Sequence, residues 1–219
     1  MRKIIFSTFL SVAAASIVNA QATFGIHAGG TLNTMETKSS GITYKGDAQI
    51  GWKVGGVANL PLSVNFAFMP QLNALAKNSK LEITESGFTA KETVKLTYLE
   101  LPLNFVYTSN GFFAGVGPSI GFGLSGKYKY EETGSPTEEA DIKFDGKAND
   151  GNDNNYHLKS IDFGGQILAG YKLPSGLFFN AHYNLGFSNI SPDNDVTVKN
   201  KYFGVTIGYF FKGGAPSGK

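Results

Sequence analysis

Apolar and polar side chains alternate along most of the chain between residues 23 and 211, which is the two-residue period of a β-strand. No segment after residue 20 has the 3.6-residue period of an amphipathic helix. The alternation therefore predicts an all-β protein with eight strands, each with one apolar and one polar face. The predicted strands cover residues 23–32, 49–59, 62–72, 98–107, 112–125, 161–173, 177–188 and 202–211.

The polar faces of these segments carry few charges. They consist mainly of Gly, Asn, Ser, Thr and His, with isolated charges such as Lys53, Glu100, Asp162 and Lys172. Such a face suits a narrow interior, whereas the apolar face suits contact with lipid and would form a large hydrophobic patch in water. We therefore predict an eight-stranded antiparallel up-and-down transmembrane β-barrel.

The connections between the predicted strands alternate between short and long. Outer-membrane barrels have short periplasmic turns and long extracellular loops, so we expect both termini on the periplasmic side. Aromatic side chains gather beside the short turns, as an interfacial girdle would. The turns are residues 59–62, 108–111 and 174–176, the loops are about 34–46, 77–94, 127–159 and 189–197, and the aromatic residues are Phe24, Tyr107, Phe112, Tyr171, Phe179, Tyr209 and Phe211.

The first 20 residues have the composition of a secretory signal peptide. A basic start, Met1 to Lys3, precedes an apolar stretch from Ile4 to Ala15, and Val18 to Ala20 offers a cleavage site. The apolar run is too short to cross a bilayer as a helix. We therefore expect residues 1–20 to be removed, residues 21–211 to form the barrel, and residues 212–219 to be a flexible tail.

Charge and cysteine content exclude several classes of function. The chain has 19 basic and 17 acidic residues, a net charge of +2, which gives no reason to expect a nucleic-acid partner. It has no cysteine, so thiol catalysis, disulfides and cysteine-ligated zinc are absent. No cofactor is expected.

Two motifs point to a known family. Residues 98–103, with the sequence Tyr-Leu-Glu-Leu-Pro-Leu, and the glycine-rich residues 115–118 resemble the small outer-membrane β-barrel domain family. Its members are often labelled PorT-like or "porin family" proteins and are related in architecture to the OmpA and OmpX barrels. The resemblance covers about residues 22–211 and implies an eight-stranded barrel in the outer membrane of a Gram-negative cell. One departure is that residues 212–219 follow Phe211, where many such barrels end on an aromatic residue.

Four polar side chains are predicted to meet inside the barrel. Counting from the short turns places Lys53 and Glu100 at similar depth, with His27 and His182 nearby. A charge in a narrow interior must be paired, so we predict a Glu100–Lys53 contact across the lumen. This cluster is either a satisfied polar core or a gate or proton-sensitive plug. Eight strands leave an interior that side chains can fill, so no wide pore is expected.

Two further segments suggest ligand sites on first inspection. The glycine run 115–121 lacks the spacing of a nucleotide-binding loop, and Pro118 interrupts it, so its glycines are interpreted as making room for larger neighbours. The loop 131–155 carries eight carboxylates, but Lys147 occupies a ligand position of the EF-hand pattern. We interpret it as a mobile solvated loop and leave cation binding or partner recognition open.

The function expected from these features is structural or interactive. Partners would be outer-membrane lipids, lipopolysaccharide, and surface or secretion-system proteins bound through the loops, and we expect a monomer. A narrow channel, or a component of a secretion or transport assembly, is the alternative. An enzyme would need a catalytic histidine near the loops, where His157 lies, but no Ser–His–acid arrangement is evident and no catalytic or metal-binding residue is predicted.

Overall fold

The computed structural model describes residues 22–85, 87–149 and 154–211. The predicted signal peptide and C-terminal tail lie outside these residues. All described strands belong to one sheet, and no described residue lies in a helix that could cross a membrane. The strands are β1 (Thr23–Ser39), β2 (Ile42–Lys45), β3 (Asp47–Pro61), β4 (Phe66–Glu85), β5 (Phe88–Ser109), β6 (Phe112–Glu132), β7 (Glu138–Lys143), β8 (Tyr156–His157), β9 (Ile161–Lys172), β10 (Leu177–Gly186) and β11 (Val196–Phe210).

Eight of these strands close into a barrel. Their order is β5-β4-β3-β1-β11-β10-β9-β6, and β5 also pairs with β6, which completes the ring. Every neighbouring pair in the ring is antiparallel, including the first and last strands, β1 and β11. The eight-stranded antiparallel barrel predicted from the sequence is confirmed.

The two faces of each strand point as the alternation predicts. Phe179 and Ile207 on the outer wall are 44% and 50% exposed, and many other large apolar side chains around the wall are exposed as well. In contrast, Lys53, Asn73 and Glu100 are at most 1% exposed inside the ring. The apolar face is therefore the outer one, as a wall that contacts lipid requires.

The short turns lie at one end of the barrel. Asn110 and Gly111 both have positive φ, 49° and 86°, as a two-residue turn between twisted strands requires. The first turn differs from the prediction: β3 continues to Pro61, and the amides of Leu62 and Ser63 both donate to the carbonyl of Phe66. Apolar residues at positions 62 and 64 imitated strand alternation although they belong to the turn.

The opposite end is more ordered than the polar sequence suggests. Residues 77–94, predicted as a loop, are the upper parts of β4 and β5, which remain paired as far as Glu85 and Phe88. Likewise β1 turns into β2, and β6 continues to Glu132 and pairs with β7. These extensions are polar on their outer face because they lie beyond the apolar belt, and their apolar residues, such as Leu81 and Ile83, face inward. Their alternation therefore has the opposite parity to that of a lipid-facing strand.

Two apolar clusters fill the interior, one at each end. The cluster near the short turns contains Val57, Ala67, Met69, Val106, Phe113, Leu168, Phe178 and Phe210. The other, toward the long hairpins, contains Met35, Leu75, Val94, Leu96, Tyr98, Ile142, Leu158, Ile190, Val198 and Tyr202. A polar layer lies between these clusters and contains the candidate site.

Candidate functional site in the barrel interior

The polar layer is built from the inward positions of neighbouring strands. Because side chains alternate along a strand, each strand contributes one or two residues at this depth. The central members of the layer are at most 3% exposed, and we refer to them as the lumen network: Lys53, Lys77, Glu100, Asp162, His182 and Tyr202.

Lys77 is the central cation of the lumen network. Its Nζ lies 3.0 Å from Oδ2 of Asp162 and 3.3 Å from Oε2 of Glu100. It also lies 4.6 Å from the centre of the Tyr98 ring, within range of a cation–π contact. Asp162 accepts a further hydrogen bond of 2.9 Å from the amide of Asn200. Two carboxylates and an aromatic ring thus offset the hydration that Lys77 loses on burial.

Lys53 forms the other half of the network. Its Nζ lies 3.2 Å from Nε2 of His182 and 3.5 Å from the hydroxyl of Tyr202. Nδ1 of His182 lies 3.0 Å from the side-chain oxygen of Asn180, which can only accept. We therefore assign the proton to Nδ1, which leaves Nε2 to accept from the Lys53 ammonium group.

Tyr202 joins the two halves. Its hydroxyl donates a hydrogen bond to Oε1 of Glu100 and lies beside Lys53. Contacts therefore run without interruption from His182 through Lys53, Tyr202, Glu100 and Lys77 to Asp162. Two lysines balance two carboxylates in this chain of contacts.

The arrangement differs from the predicted cluster in one partner. Lys53, Glu100 and His182 lie in the same layer, but the predicted direct contact between Lys53 and Glu100 was wrong, because Tyr202 lies between them and Glu100 pairs with Lys77. His27 is buried at the edge of the layer, with its ring centre 6.3 Å from that of Phe178, and none of the described polar contacts joins it to Lys53.

Sequence reasoning missed Lys77 because it fell in a predicted loop. Leu75 is apolar but points into the barrel, where it is fully buried, so the apolar–polar alternation of β4 is interrupted just before Lys77. Continuing the parity of Gln71 and Asn73 by two further steps to Lys77 would have found it.

Inward glycines make room for the network. A Cβ atom on Gly204 would lie 2.5 Å from Nε2 of His182, and one on Gly121 would lie 3.2 Å from the Tyr98 ring. Both distances are shorter than ordinary contacts. The interpretation of inward glycines as space for larger neighbours is thus supported at these positions, one of which belongs to the 115–121 run.

Below the network, aromatic side chains narrow the lumen toward the short turns. Phe178 packs against Phe113 and Phe210, with ring centres 6.4 and 4.7 Å away. A recess of about 420 Å³ opens beneath them at the barrel end, lined by turn residues and by Phe113 and Phe210. The recess therefore ends on apolar side chains rather than on the polar layer.

The loop residues considered for chemistry lie apart from the network. His157 is buried, and its Nδ1 lies 2.7 Å from Oδ1 of Asp145. This hydrogen bond lowers the pKa of Asp145. Among residues 22–85, 87–149 and 154–211, no group of three or more His, Asp or Glu side chains is placed to bind a metal ion.

Comparison with known families gives a match over most of the chain. Residues 14–192 match the family described as the outer membrane protein beta-barrel domain. A comparison with curated proteins finds no match.

Solved structures of small outer-membrane barrels are similar in fold. Neisserial surface protein A is 12% identical, with a TM-score of 0.51, over 87% of this chain and 99% of that one. Ail, the attachment invasion locus protein of Yersinia pestis, is 14% identical, with a TM-score of 0.43, over 87% and 99%. OprG from Pseudomonas aeruginosa is 14% identical, with a TM-score of 0.43, over 88% and 97%. At these identities the likeness concerns fold alone.

Proposed function

We propose that this chain, which belongs to the outer membrane protein beta-barrel domain family, is a closed barrel that acts through its wall and hairpins and neither conducts solutes nor catalyses a reaction. Its place in the outer membrane of a Gram-negative cell follows from the family. In this proposal both termini and the short turns face the periplasm, and the long hairpins face outward from the cell.

The observation that supports closure is the continuous lumen network. An open path at this depth would require Lys77 to leave Asp162 or Glu100, at 3.0 and 3.3 Å, or Tyr202 to leave Glu100. Each separation would deprive a charged group that is at most 3% exposed of one of its partners. Uncompensated buried charges are strongly unfavourable, so the closed arrangement should dominate.

The outer wall supports lipid and lipopolysaccharide as partners. Lys95 and Lys127 lie directly opposite each other on β5 and β6, just beyond the apolar outer positions Leu99 and Phe122. Lys127 is paired with Asp141, whereas no ion pair is found for Lys95 among the described residues. Cations at the upper border of the lipid belt suit the phosphate groups of an outer-leaflet lipid. Surface or secretion-system proteins would bind through the hairpins.

A narrow conducting path is the second candidate function. The side-chain amides of Asn104 and Gln166 are buried in the lumen and form no hydrogen bond with any residue in the described ranges. Buried polar groups normally find partners, and water is the common one. A continuous row of water molecules along these amides would form part of such a path.

Single-channel recording in planar bilayers separates the two candidates. We expect the wild-type barrel to show no stepwise current, and we expect Glu100→Ala to conduct intermittently because it removes the acceptor of Tyr202 and a partner of Lys77. Lys95→Ala, on the outer wall, is the matched control and should stay silent. Stepwise wild-type conductance would refute the closed barrel and favour the channel.

A further inference from the structure

A separate cavity lies inside the barrel above the lumen network, toward the long hairpins. It has a volume of about 320 Å³ and is lined by inward residues of β1, β2, β4, β5, β7, β8 and β11 and by Leu158, which follows β8. We call it the mouth cavity. Its lining is mainly apolar and comprises Met35, Thr37, Ser39, Tyr44, Leu81, Ile83, Glu92, Val94, Ile142, Tyr156, Leu158 and Val198.

An apolar rim leads from solvent into the mouth cavity. Tyr44 and Ile83 belong to both the rim and the lining, and they are 38% and 47% exposed. Ile42 shares the strand face of Tyr44, and Phe88 shares that of Glu92; both are also exposed. These side chains lie on the inner faces of the hairpins, which lipid does not reach. Exposed apolar surface of this kind marks a binding site more often than chance.

One carboxylate lies in this apolar lining. Glu92 is opposite Leu81 on β4 and Tyr130 on β6, and it makes no hydrogen bond or ion pair with any residue that the structure describes. Burial raises the pKa of its carboxyl group. The neighbouring Lys91 lies on the outer face and pairs with Glu131. The cavity therefore contains a carboxyl group with no cationic partner among the described residues.

Tyrosine rings lie in the same part of the barrel as this carboxylate. Tyr156 and Tyr44 line the cavity, and Tyr128 stacks on Tyr156 with ring centres 5.2 Å apart and planes 4° from parallel. Tyrosine faces attract cations, and they attract them more strongly where water is partly excluded. An anion and aromatic faces together favour a positively charged group inside an otherwise apolar space.

We propose that the mouth cavity binds a small apolar molecule that carries a protonated amine. The ammonium group would contact the Glu92 carboxylate and the tyrosine rings, and the hydrocarbon part would lie against Leu81, Val94 and Val198. A neutral apolar molecule fits less well, because it would bury the Glu92 carboxylate without a partner. The volume is at the lower end of ligand pockets, roughly 300–1,000 Å³, so the ligand is compact, on the order of one ring with a short chain.

The proposal is tested with phenylalkylamines bearing two to four methylene groups and with the corresponding neutral phenylalkanols. Binding is measured by isothermal titration calorimetry on the full barrel in lipid nanodiscs, with empty nanodiscs as reference. Glu92→Gln removes the charge and keeps the shape. Glu139→Gln removes the same charge from the exposed outer face of β7 and is the matched control. Heat-modifiable migration on a detergent gel confirms that each variant is folded.

We expect the best amine to bind the wild type and Glu139→Gln equally and Glu92→Gln about tenfold more weakly, since a charge-assisted contact is lost. The alcohol should bind Glu92→Gln at least as tightly as the wild type, because it does not compensate the buried Glu92 carboxylate. The proposal is overturned if no amine binds beyond empty nanodiscs, if the amine binds Glu92→Gln as tightly as the wild type, or if Glu139→Gln weakens it equally.

Discussion

Replacing Lys77 by methionine removes the central cation of the lumen network and keeps most of its volume. The methionine side chain can still pack against the Tyr98 ring, which lies 4.6 Å from the Lys77 ammonium group in the wild type. The change therefore isolates the charge. It leaves Glu100 and Asp162 buried without the cation that lies 3.3 and 3.0 Å from them.

The expected loss of stability follows from this geometry. Removing one partner of a buried ion pair costs about 3–5 kcal/mol, because the other charge stays buried without compensation. Lys77 faces two carboxylates rather than one, so we expect a value near the upper end, about 5 kcal/mol. Adding Asp162→Asn to Lys77→Met should restore about 1–3 kcal/mol of the unfolding free energy, because it removes one of the two unpaired buried charges.

Urea unfolding in lipid vesicles measures these differences. The chain has one tryptophan, Trp52, which lies on the outer wall and is 47% exposed, so its emission reports transfer from lipid to water. Lys95→Met on the outer wall is the control and should change the unfolding free energy by less than about 0.5 kcal/mol. If the unfolding free energy of Lys77→Met lies within about 1 kcal/mol of the wild-type value, the ion pairs of Lys77 do not stabilise the interior.

The remaining predictions each concern one position: an inward glycine, a lipid-facing residue and a loop carboxylate. Gly204→Ala should lower the unfolding free energy by about 1–3 kcal/mol, because its Cβ would lie 2.5 Å from Nε2 of His182. Ile207→Lys on the lipid face should lower it by about 2–4 kcal/mol. The pKa of Asp145 is lowered by its hydrogen bond with His157. This bond therefore stabilises the loop fully at pH values above the ordinary pKa of aspartate, and the stabilisation is lost as the pH falls through the lowered pKa. Amide exchange around residue 157 should therefore accelerate at the acid end of the range.

Each of these predictions has a control and a contrary result. Gly30→Ala, whose Cβ would meet its nearest atom at 3.9 Å, should be neutral in the same unfolding assay, and an equal loss at both glycines would argue against the role of His182. Ile207→Leu should be tolerated, and a tolerated lysine there would contradict the lipid-facing assignment. Asp145→Asn should exchange rapidly at all pH values; a retained pH dependence would point to another group.

The sequence predicts well the part of the fold that lies in lipid. Along Leu99, Leu101 and Leu103 the outer face must be apolar and the inner face small or polar, so period-two alternation is obligatory there. Above the lipid the outer face meets water. Lys80, opposite Thr93, is paired in the ladder like the residues below it, but here polar side chains face outward and apolar ones such as Leu81 face inward, so the pattern is inverted relative to the lipid belt.

The sequence predicts most of the residues that form the interior site, but it does not predict which of them contact each other. Inward parity identifies Lys53, Glu100 and His182 as members of one polar layer. Which of these residues contact each other depends on the register between neighbouring strands. A register shift of two residues brings a different inward side chain to the same depth. The cation beside Glu100 is Lys77, which follows the interruption of the alternation at Leu75, and Tyr202 was not among the predicted members of the layer.

The seam between β1 and β11 joins the two ends of the chain through fifteen register pairs, from Gly25 with Phe210 to Ser39 with Val196. The barrel wall is incomplete until β11 is present. The residues that precede it, which make up about nine-tenths of the chain, therefore cannot form a closed barrel in the membrane. A chain shortened before residue 196 would leave unpaired amides and carbonyls on both β1 and β10, in a solvent that cannot satisfy them. Insertion and closure of this protein should therefore be one late, concerted event that cannot be completed before β11 is present.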